Sequence, residues 1–292
     1  MKKLFIPLIL SLLMLTLALP ASAGYAVHPQ YPENQRPERQ GHFNLHVTPG
    51  HTQSLNVAIE NFGDETIHIE VTANAAVTNT NGIIEYAPHP QGVYADNDLL
   101  PDFSQVVTIA APLISIAPGA TEIAAFDVSM PDTPFAGSLV GGLHFVESIQ
   151  AQPGQENDGA ALTGSTGLTN RMAYVVALVL RQDDHIMPPA FELLQAVPDM
   201  DFSDAIRITL KNTSARISSL RNFTVQIYDE PGVTFPIETL VLPHVQMAPY
   251  AEPSLRLWRN TRDPIASGTY HVLVTFECED ALYLLETPLS II

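Results

Sequence analysis

The chain has 292 residues, with 31 Asp and Glu against 13 Lys and Arg, and a formal net charge of −18. A surface of this sign repels nucleic acids and anionic lipids, so nucleic-acid binding is excluded as its function. The first half is the more acidic: residues 24–189 hold 4 basic and 18 acidic side chains, and no Lys or Arg occurs between Arg39 and Arg171. A polyanion bound there would need a bridging cation or an uncharged contact surface.

The first 23 residues have the three-part pattern of an export signal peptide. Lys2 and Lys3 precede an apolar run over residues 4–19, and Ala21-Ser22-Ala23 follows as a small-residue cleavage site. The alternative, an uncleaved membrane anchor, would need a longer apolar run. Cys278 is the single cysteine, so no intramolecular disulfide can form and stability must rest on hydrophobic cores. The protein is predicted to be exported.

The first half after the signal follows the periodicity of β-strands. Apolar and polar residues alternate over 43–47, 55–60 and 67–71, and Pro49-Gly50 supplies a turn signal. Glycines punctuate the strand around Gly141-Gly142, which indicates close approach of a neighbour or a bulge. The run over 172–180 is apolar on both faces, as expected of a central strand. Residues 150–170 have the Gly-, Ala-, Ser- and Thr-rich composition of a flexible loop.

The second half repeats the same alternation, over 206–211, 223–227 and 270–276. Each half also has a strand that ends in an asparagine followed by a polar turn, at Asn61 and at Asn212. Asparagine caps such turns with its own side chain, and this is common in immunoglobulin-like sandwiches. The prediction is an all-β protein with two tandem immunoglobulin-like β-sandwich domains, over residues 24–186 and 187–292.

No group of residues predicts catalysis, a cofactor or a metal site. His42 and His46 share a strand face but lie roughly 13 Å apart at ~3.3 Å per residue, too far to share an ion. The acidic loop at Asp96-Asn97-Asp98 lacks the glycine and the distal glutamate of a calcium-binding loop, and a polar turn is the better interpretation. Cys278 is in phase with the apolar face of its strand and is predicted to be a small core residue. The chain is predicted not to be an enzyme.

Amide side chains beside turn residues are the candidates for ligand binding. Such amides usually satisfy backbone groups, and this structural role is the alternative interpretation here. Amides next to an aromatic ring also hold neutral sugars, by hydrogen bonding and by stacking. The candidate residues are Asn34, Gln35, Gln53, Asn79, Asn81 and Tyr86.

Taken together, these segments resemble the WxL-interacting protein family of Gram-positive bacterial surfaces. The segments that carry the resemblance follow one another in order over nearly the whole mature chain. They are Pro32-Glu33-Asn34-Gln35, Gly41-His42-Phe43-Asn44-Leu45, Pro49-Gly50-His51-Thr52-Gln53, Thr78-Asn79-Thr80-Asn81-Gly82, Phe135-Ala136-Gly137, Gly141-Gly142-Leu143, Asn170-Arg171-Met172-Ala173-Tyr174, Met247-Ala248-Pro249 and Gly268-Thr269-Tyr270.

The resemblance implies an N-terminal peptidoglycan-binding domain and a C-terminal domain that attaches to host surfaces. It also implies partnership with WxL-domain surface proteins, and contact with a host extracellular matrix or surface protein. Members of the family usually end in a transmembrane helix and a basic tail, whereas this sequence stops at Ile292. The expectation is therefore a truncated chain, or one held at the cell wall without a membrane anchor. The alternative function is a chaperone-like or pilus-assembly sandwich that binds a partner strand.

Overall fold

The structure is a computed structural model that describes residues 24–37, 41–88, 99–148, 172–260 and 265–291. The predicted signal peptide and the predicted flexible loop over 150–170 lie outside these ranges. No helix within them combines the length and the hydropathy that a bilayer crossing requires. Its elements, numbered in chain order, are β1 (Tyr25–Gln30), β2 (Phe43–His46), β3 (Thr52–Asn61), β4 (Ile67–Ala75), β5 (Val77–Thr78), β6 (Ile84–Glu85), α1 (Phe103–Val106), β7 (Val107–Ile109), β8 (Leu113–Ile116), β9 (Thr121–Ser129), β10 (Leu139–Glu147), β11 (Ala173–Arg181), β12 (Phe191–Pro198), β13 (Ala205–Asn212), β14 (Ser218–Tyr228), β15 (Glu238–Met247), β16 (Ser254–Trp258), β17 (Gly268–Cys278) and β18 (Ala281–Ile291).

The first domain is a sandwich of two sheets with strand orders β1-β3-β9-β7 and β2-β11-β10-β4-β8. Strand β11 lies between β2 and β10, which confirms the central position predicted from its apolar faces. It runs parallel to β2 and antiparallel to β10. The inward side chains of both sheets form one core that includes Phe43, Phe126 and Phe145. Strand β7 begins at Val107, directly after the helical turn α1 that ends at Val106.

Two adjacent glycines in β10 allow side chains to lie directly against the backbone. A Cβ on Gly141 would lie 2.2 Å from the ring of Phe103, and one on Gly142 would lie 2.7 Å from Tyr86. Real Cβ atoms do not approach other heavy atoms this closely, so only glycine fits at either position. This confirms the close approach that the glycine pattern predicts.

The seven strands of the second domain are linked in one sheet, which folds over on itself around a separate core. The strand order is β15-β14-β17-β18-β12-β13-β16, so β15 and β16 are the two edges. Its core contains Phe223, Phe276 and Cys278 and shares no residue with the core of the first domain. Burial raises the pKa of the Cys278 thiol, as expected of the predicted core residue. Two tandem β-sandwich domains are therefore present, as predicted.

Each domain contains a buried asparagine that makes the same pattern of hydrogen bonds at the end of a strand. The Asn61 side chain, which is fully buried, donates to the carbonyls of Glu65 (2.8 Å) and Ile116 (3.0 Å). The Asn212 side chain, equally buried, donates to the carbonyls of Arg216 (2.8 Å) and Ala248 (2.9 Å). In both cases the first acceptor lies four residues on, within the turn. The second lies at the end of another strand, since Ile116 ends β8 and Ala248 directly follows β15. The asparagine therefore fixes the turn and ties it to the rest of the domain.

A buried carboxylate, Asp199, organises one end of the second domain. Its Oδ2 accepts hydrogen bonds from Nε of Arg256 (2.6 Å) and Nε of Arg207 (2.8 Å). Burial alone raises the pKa of Asp199, but hydrogen bonds from Arg256, the Asp201 backbone and Arg207 outweigh it and lower this pKa to about 2. The folded-state pKa thus lies below the ordinary value of about 3.9, so ionised Asp199 stabilises the fold above about pH 4.

Acidification is therefore expected to destabilise the second domain through Asp199. The contribution, about 2 kcal/mol, is present above about pH 4 and is lost as the pH falls towards 2. Denaturant unfolding at about pH 5 and about pH 2 measures it. Because other carboxyl groups titrate over the same range, Asp199→Asn is the matched control. At about pH 5 the variant should have a lower free energy of unfolding than the wild-type protein, and this free energy should fall less in the variant when the pH is lowered to about 2. An equal fall in both proteins would contradict the assignment to Asp199.

Candidate functional site

Residues 32–36, which follow β1, form an arm that covers the free edge of β2. The Arg36 amide donates to the Asn44 carbonyl (2.9 Å), and the His46 amide donates to the Asn34 carbonyl (3.1 Å). The Gln35 side chain completes this pairing, because its Oε1 accepts from the Asn44 amide (3.0 Å). Gln35, one of the predicted ligand residues, therefore satisfies backbone groups, which was the alternative interpretation.

Asn34 and Gln53, also predicted ligand residues, lie together where the arm meets the opposite sheet. Nδ2 of Asn34 donates to the His46 carbonyl (2.8 Å) and to Oε1 of Gln53 (3.0 Å), and Gln53 lies on β3. Nε2 of Gln53 is buried and has no hydrogen-bond partner among the residues that the structure describes. A buried donor without a partner is costly, so an acceptor that reached Nε2 of Gln53 would gain a hydrogen bond there.

A cleft of about 410 Å³ opens beside this pair of amides. Its floor is apolar and consists of Val47, Val128 and Met130, all buried. Thr48 and His51, which flank the turn predicted at Pro49-Gly50, line one side of the cleft. The turn is fixed by the Gly50 amide, which donates to the Pro131 carbonyl (3.0 Å). Polar groups surround the opening above the apolar floor, a common arrangement in ligand sites. The lining residues are Pro32, Glu33, Asn34, His46, Val47, Thr48, His51, Gln53, Val128 and Met130.

The cleft contains hydrogen-bonding groups but little charge. Glu33 is the one acidic residue of its lining, and the lining includes no Lys or Arg. The nearest arginine in sequence, Arg36, instead forms an ion pair with Asp184. Amides, imidazoles and the Thr48 hydroxyl supply both donors and acceptors, so the cleft is suited to hydroxyl and amide groups of a neutral ligand.

Asn79 and Asn81 lie elsewhere, in the hairpin formed by β5 and β6. Oδ1 of Asn79 accepts from the amides of Asn81 (2.9 Å) and Ile83 (3.0 Å), and its Nδ2 donates to Glu85. Asn79 is therefore the internal support of the hairpin, while the Asn81 side chain is exposed. The structure does not bring this pair together with Asn34 and Gln53.

The tip of this hairpin, residues 79–82, lies between the two edge strands of the second domain. Gln246 on β15 donates its amide to the Gly82 carbonyl, and Arg256 on β16 donates its amide to the Thr80 carbonyl, each at 2.7 Å. The buried Thr78 hydroxyl accepts from the Ala248 amide (2.9 Å) and donates to the Gln246 carbonyl (3.2 Å). Residues 78–82 thus join the two domains and cover both edges of the second-domain sheet, a role that their sequence did not reveal.

Tyr86, the remaining predicted ligand residue, lies where the hairpin returns to the first domain. Its ring packs on Gly142, and its carbonyl accepts from Nδ2 of Asn74 (2.9 Å). Burial raises the pKa of the Tyr86 hydroxyl. The ring is thus engaged in packing, and it does not belong to the cleft beside Gln53.

Comparison with protein families matches both parts of the chain to one family. Residues 25–147 match the model described as "WxL Interacting Protein, peptidoglycan binding domain", and residues 163–291 match the model described as "WxL Interacting Protein, host binding domain". The chain belongs to the WxL-interacting protein family. The order of the two domains is the one that the sequence motifs imply.

The family models and the sheets divide this WxL-interacting protein at different points. The host-binding model begins at residue 163 and includes β11, yet β11 pairs with β2 and β10 in the first domain. Leu178 and Leu180 of β11 belong to the first core. The packing therefore changes from the first domain to the second between Arg181, the end of β11, and Phe191, the start of β12.

Other comparisons add little about function. No curated protein matches the chain in sequence. A chain of the CsuC–CsuE chaperone–tip adhesion subunit complex of Acinetobacter baumannii shares 9% identity, with 80% of this chain and 90% of that chain covered and a TM-score of 0.39. The PapD-like domain 7 of human CEP192 shares 10% identity, with 57% and 91% covered and a TM-score of 0.33. Scores this low support no argument about what this protein binds.

Proposed function

We propose that this protein is a non-enzymatic component of the cell surface whose first domain binds peptidoglycan in the cleft beside Asn34 and Gln53. The description of the matched domain supports the ligand, and the uncharged hydrogen-bonding cleft over an apolar floor supports the position. Peptidoglycan offers hydroxyl and amide groups that such a cleft can bind. The unpartnered Nε2 of Gln53 is the observation that carries the proposal.

Binding of this kind does not depend on attraction between opposite charges. No Lys or Arg occurs between Arg39 and Arg171, so the first domain cannot recognise the wall through a basic surface. Hydrogen bonds to a neutral ligand are screened little by salt. Retention on the wall should consequently persist at an ionic strength that abolishes binding through surface charges.

The second domain, on this proposal, binds a host ligand, such as an extracellular matrix or surface protein, or a WxL-domain wall protein. The family description of residues 163–291 as host-binding supports the first of these partners. The export signal predicted for residues 1–23 is consistent with a location at the cell wall. We place the boundary between the domains near residue 186, in the connection that follows β11.

Retention of residues 24–292 on purified, teichoic-acid-free peptidoglycan tests the proposal. The wild-type protein should sediment with the wall, and raising NaCl from about 50 to about 500 mM should change its retention less than about twofold. Gln53→Glu preserves the acceptor for Asn34 but removes the free donor, so it should weaken retention about 10-fold. Denaturation of the variant checks that the fold is intact.

Asn81→Ala is the matched control, because this exposed amide lies on the hairpin rather than at the cleft. Its retention should equal that of the wild-type protein. A wild-type chain that is not retained would disprove wall binding altogether. Retention that is lost with Asn81→Ala but kept with Gln53→Glu would place the site on the hairpin and remove the cleft from the proposal.

A further inference from the structure

Three large apolar side chains are exposed together at one end of the second domain. Met200 and Phe202 lie in the connection between β12 and β13, and Trp258 ends β16. Met200 is 94% exposed and Trp258 is 51% exposed, and the Phe202 and Trp258 rings meet edge to face with centroids 5.0 Å apart. We refer to Met200, Phe202 and Trp258 as the aromatic patch.

The aromatic patch is supported by the buried ion network below it. The Arg256 guanidinium lies 4.6 Å from the Phe202 ring centroid and 6.0 Å from that of Trp258. Asp199 holds that guanidinium through a 2.6 Å contact, and the Asp199 carboxylate is completely buried. Because the rings rest on a fixed support, a partner that binds them would restrict little additional motion.

The aromatic patch lies at the end of β13 opposite Asn212, and the hairpin of the first domain reaches β16 two residues before Trp258, where the Arg256 amide donates to the Thr80 carbonyl. Ala205 pairs with Trp258 at this end, whereas Asn212, at the other end of β13, donates to the carbonyl of Ala248, whose own amide contacts Thr78. Phe235 and Ile237 are also exposed and precede β15. Asn260 links the segment after Trp258 to the start of β15 through a 2.9 Å hydrogen bond to the Thr239 carbonyl.

The composition of this surface is that of the centre of a protein–protein interface. Trp, Phe, Met and Arg are enriched at such centres, and Trp and Arg most often dominate the binding energy. Scattered apolar residues are ordinary on protein surfaces, but a group of large exposed apolar side chains such as this indicates an interaction site.

Charge around the aromatic patch indicates the kind of partner. Arg207 and Arg256 are paired with Asp199 and Asp201, and Arg259 is paired with Glu238. The acidic side chains beside the patch are the more exposed: Asp201 is 66% exposed, whereas Arg207 and Arg256 are 26% and 18% exposed. Asp204, whose carbonyl accepts from the Arg259 amide, forms no ion pair with any residue in the described ranges. The rim is therefore acidic around an apolar centre, and it complements a partner whose apolar groups are bordered by Lys or Arg.

We propose that the aromatic patch is the docking site of the second domain for a protein segment that presents an apolar side chain beside Lys or Arg. This inference rests on the proposed protein-binding function of the second domain and adds the position of the site and the chemistry of its partner. Trp258 is the only tryptophan of the chain, so its fluorescence reports directly on occupancy of the patch.

Selection of peptides from a random displayed library on residues 24–292 tests the inference. Enriched sequences should combine Lys or Arg with a large apolar residue. A synthetic copy of an enriched peptide should shift the Trp258 emission to shorter wavelength, because it removes the indole from water. Phe202→Ser keeps the reporter tryptophan and should weaken binding of this peptide at least 10-fold, whereas Val241→Ser, on another exposed face, should leave it unchanged.

Two further readouts separate the ways in which the inference can fail. Enrichment of acidic peptides, no enrichment, or binding that is unaffected by Phe202→Ser would overturn it. A response of Trp258 to chitotriose or lactose, with none to the peptide, would assign the patch to neutral glycans and overturn it equally. Retention on peptidoglycan is measured on the same preparation: a chain that is retained but binds no peptide loses only this inference, whereas one that does neither also loses the proposed wall binding.

Discussion

Replacing Asn61 with alanine should destabilise the first domain by about 3 kcal/mol, because one fully buried side chain bonds several backbone groups at once. Its Nδ2 serves the carbonyls of Glu65, Ile116 and Ala117, and its Oδ1 accepts from the Gly63 amide (2.9 Å). Alanine would remove all four bonds at a side-chain position that is completely buried, including the bond to the buried Ile116 carbonyl. Denaturant unfolding followed by circular dichroism measures the loss.

Two matched variants make the Asn61 prediction specific. Asn212→Ala removes the corresponding asparagine of the second domain and should lower the stability of that domain by a similar amount. Asn56→Ala changes an exposed asparagine on β3, the same strand as Asn61, and should cost less than about 0.5 kcal/mol. If Asn61→Ala and Asn56→Ala had equal effects, the side-chain bonds of Asn61 would not be a principal support of the domain.

The fold was predictable from sequence because its signals are local. Alternation of apolar residues, the Pro49-Gly50 turn and the two strand-end asparagines each reflect the conformation of a few neighbouring residues. The pairing of the strands was not predictable in the same way. Nothing in the sequence of β2 indicates that it runs parallel to β11, since that partner is more than 100 residues away and is selected by the packing of the whole core.

The candidate site was predictable only in part, for the same physical reason. Amides beside turns identified Asn34 and Gln53, but the sequence could not show that the arm folds back so that these two meet across the sandwich. It also gave equal weight to Asn79, whose bonds are all within its hairpin. Thr78 and Gly82 attracted attention as parts of a motif, and only the structure assigns them to the contact between domains.

Substitution of Gly137 by alanine should separate the two domains. Gly137 has φ of +84°, and an added Cβ would lie 2.3 Å from the carbonyl oxygen of Ala215 and 2.4 Å from its Cβ. Both Ala215 atoms belong to the second domain, and the carbonyl oxygen is a backbone atom, so it cannot move aside by a side-chain rotation. The adjacent Ser138 amide donates to the same carbonyl (2.8 Å), so relief of the clash would also break this bond. The expected loss is about 3 kcal/mol, from backbone strain together with overpacking.

Gly119→Ala is the control that separates the cost of a positive φ from the cost of the clash with Ala215. Gly119 also has a positive φ, of +67°, but a Cβ there would meet no atom within 4 Å. It should therefore cost only the left-handed backbone penalty, about 1 kcal/mol. Calorimetry should show an unfolding transition that divides in two for Gly137→Ala and remains undivided for Gly119→Ala, and small-angle scattering should show a larger radius of gyration only for the former. Indistinguishable behaviour of the two variants would mean that the Ala215 contact does not couple the domains.

Gly137→Ala also tests whether the two proposed binding sites depend on the contact between the domains. The cleft lies at the arm of the first domain and the aromatic patch lies around Trp258 in the second, so neither includes Gly137. Retention of Gly137→Ala on peptidoglycan should therefore equal that of the wild-type protein, although its domains are no longer held together. What the variant should lose is the cover that residues 79–82 give to β15 and β16, because that hairpin belongs to the first domain. Uncovered sheet edges pair with other chains, so concentration-dependent association of Gly137→Ala is the expected consequence.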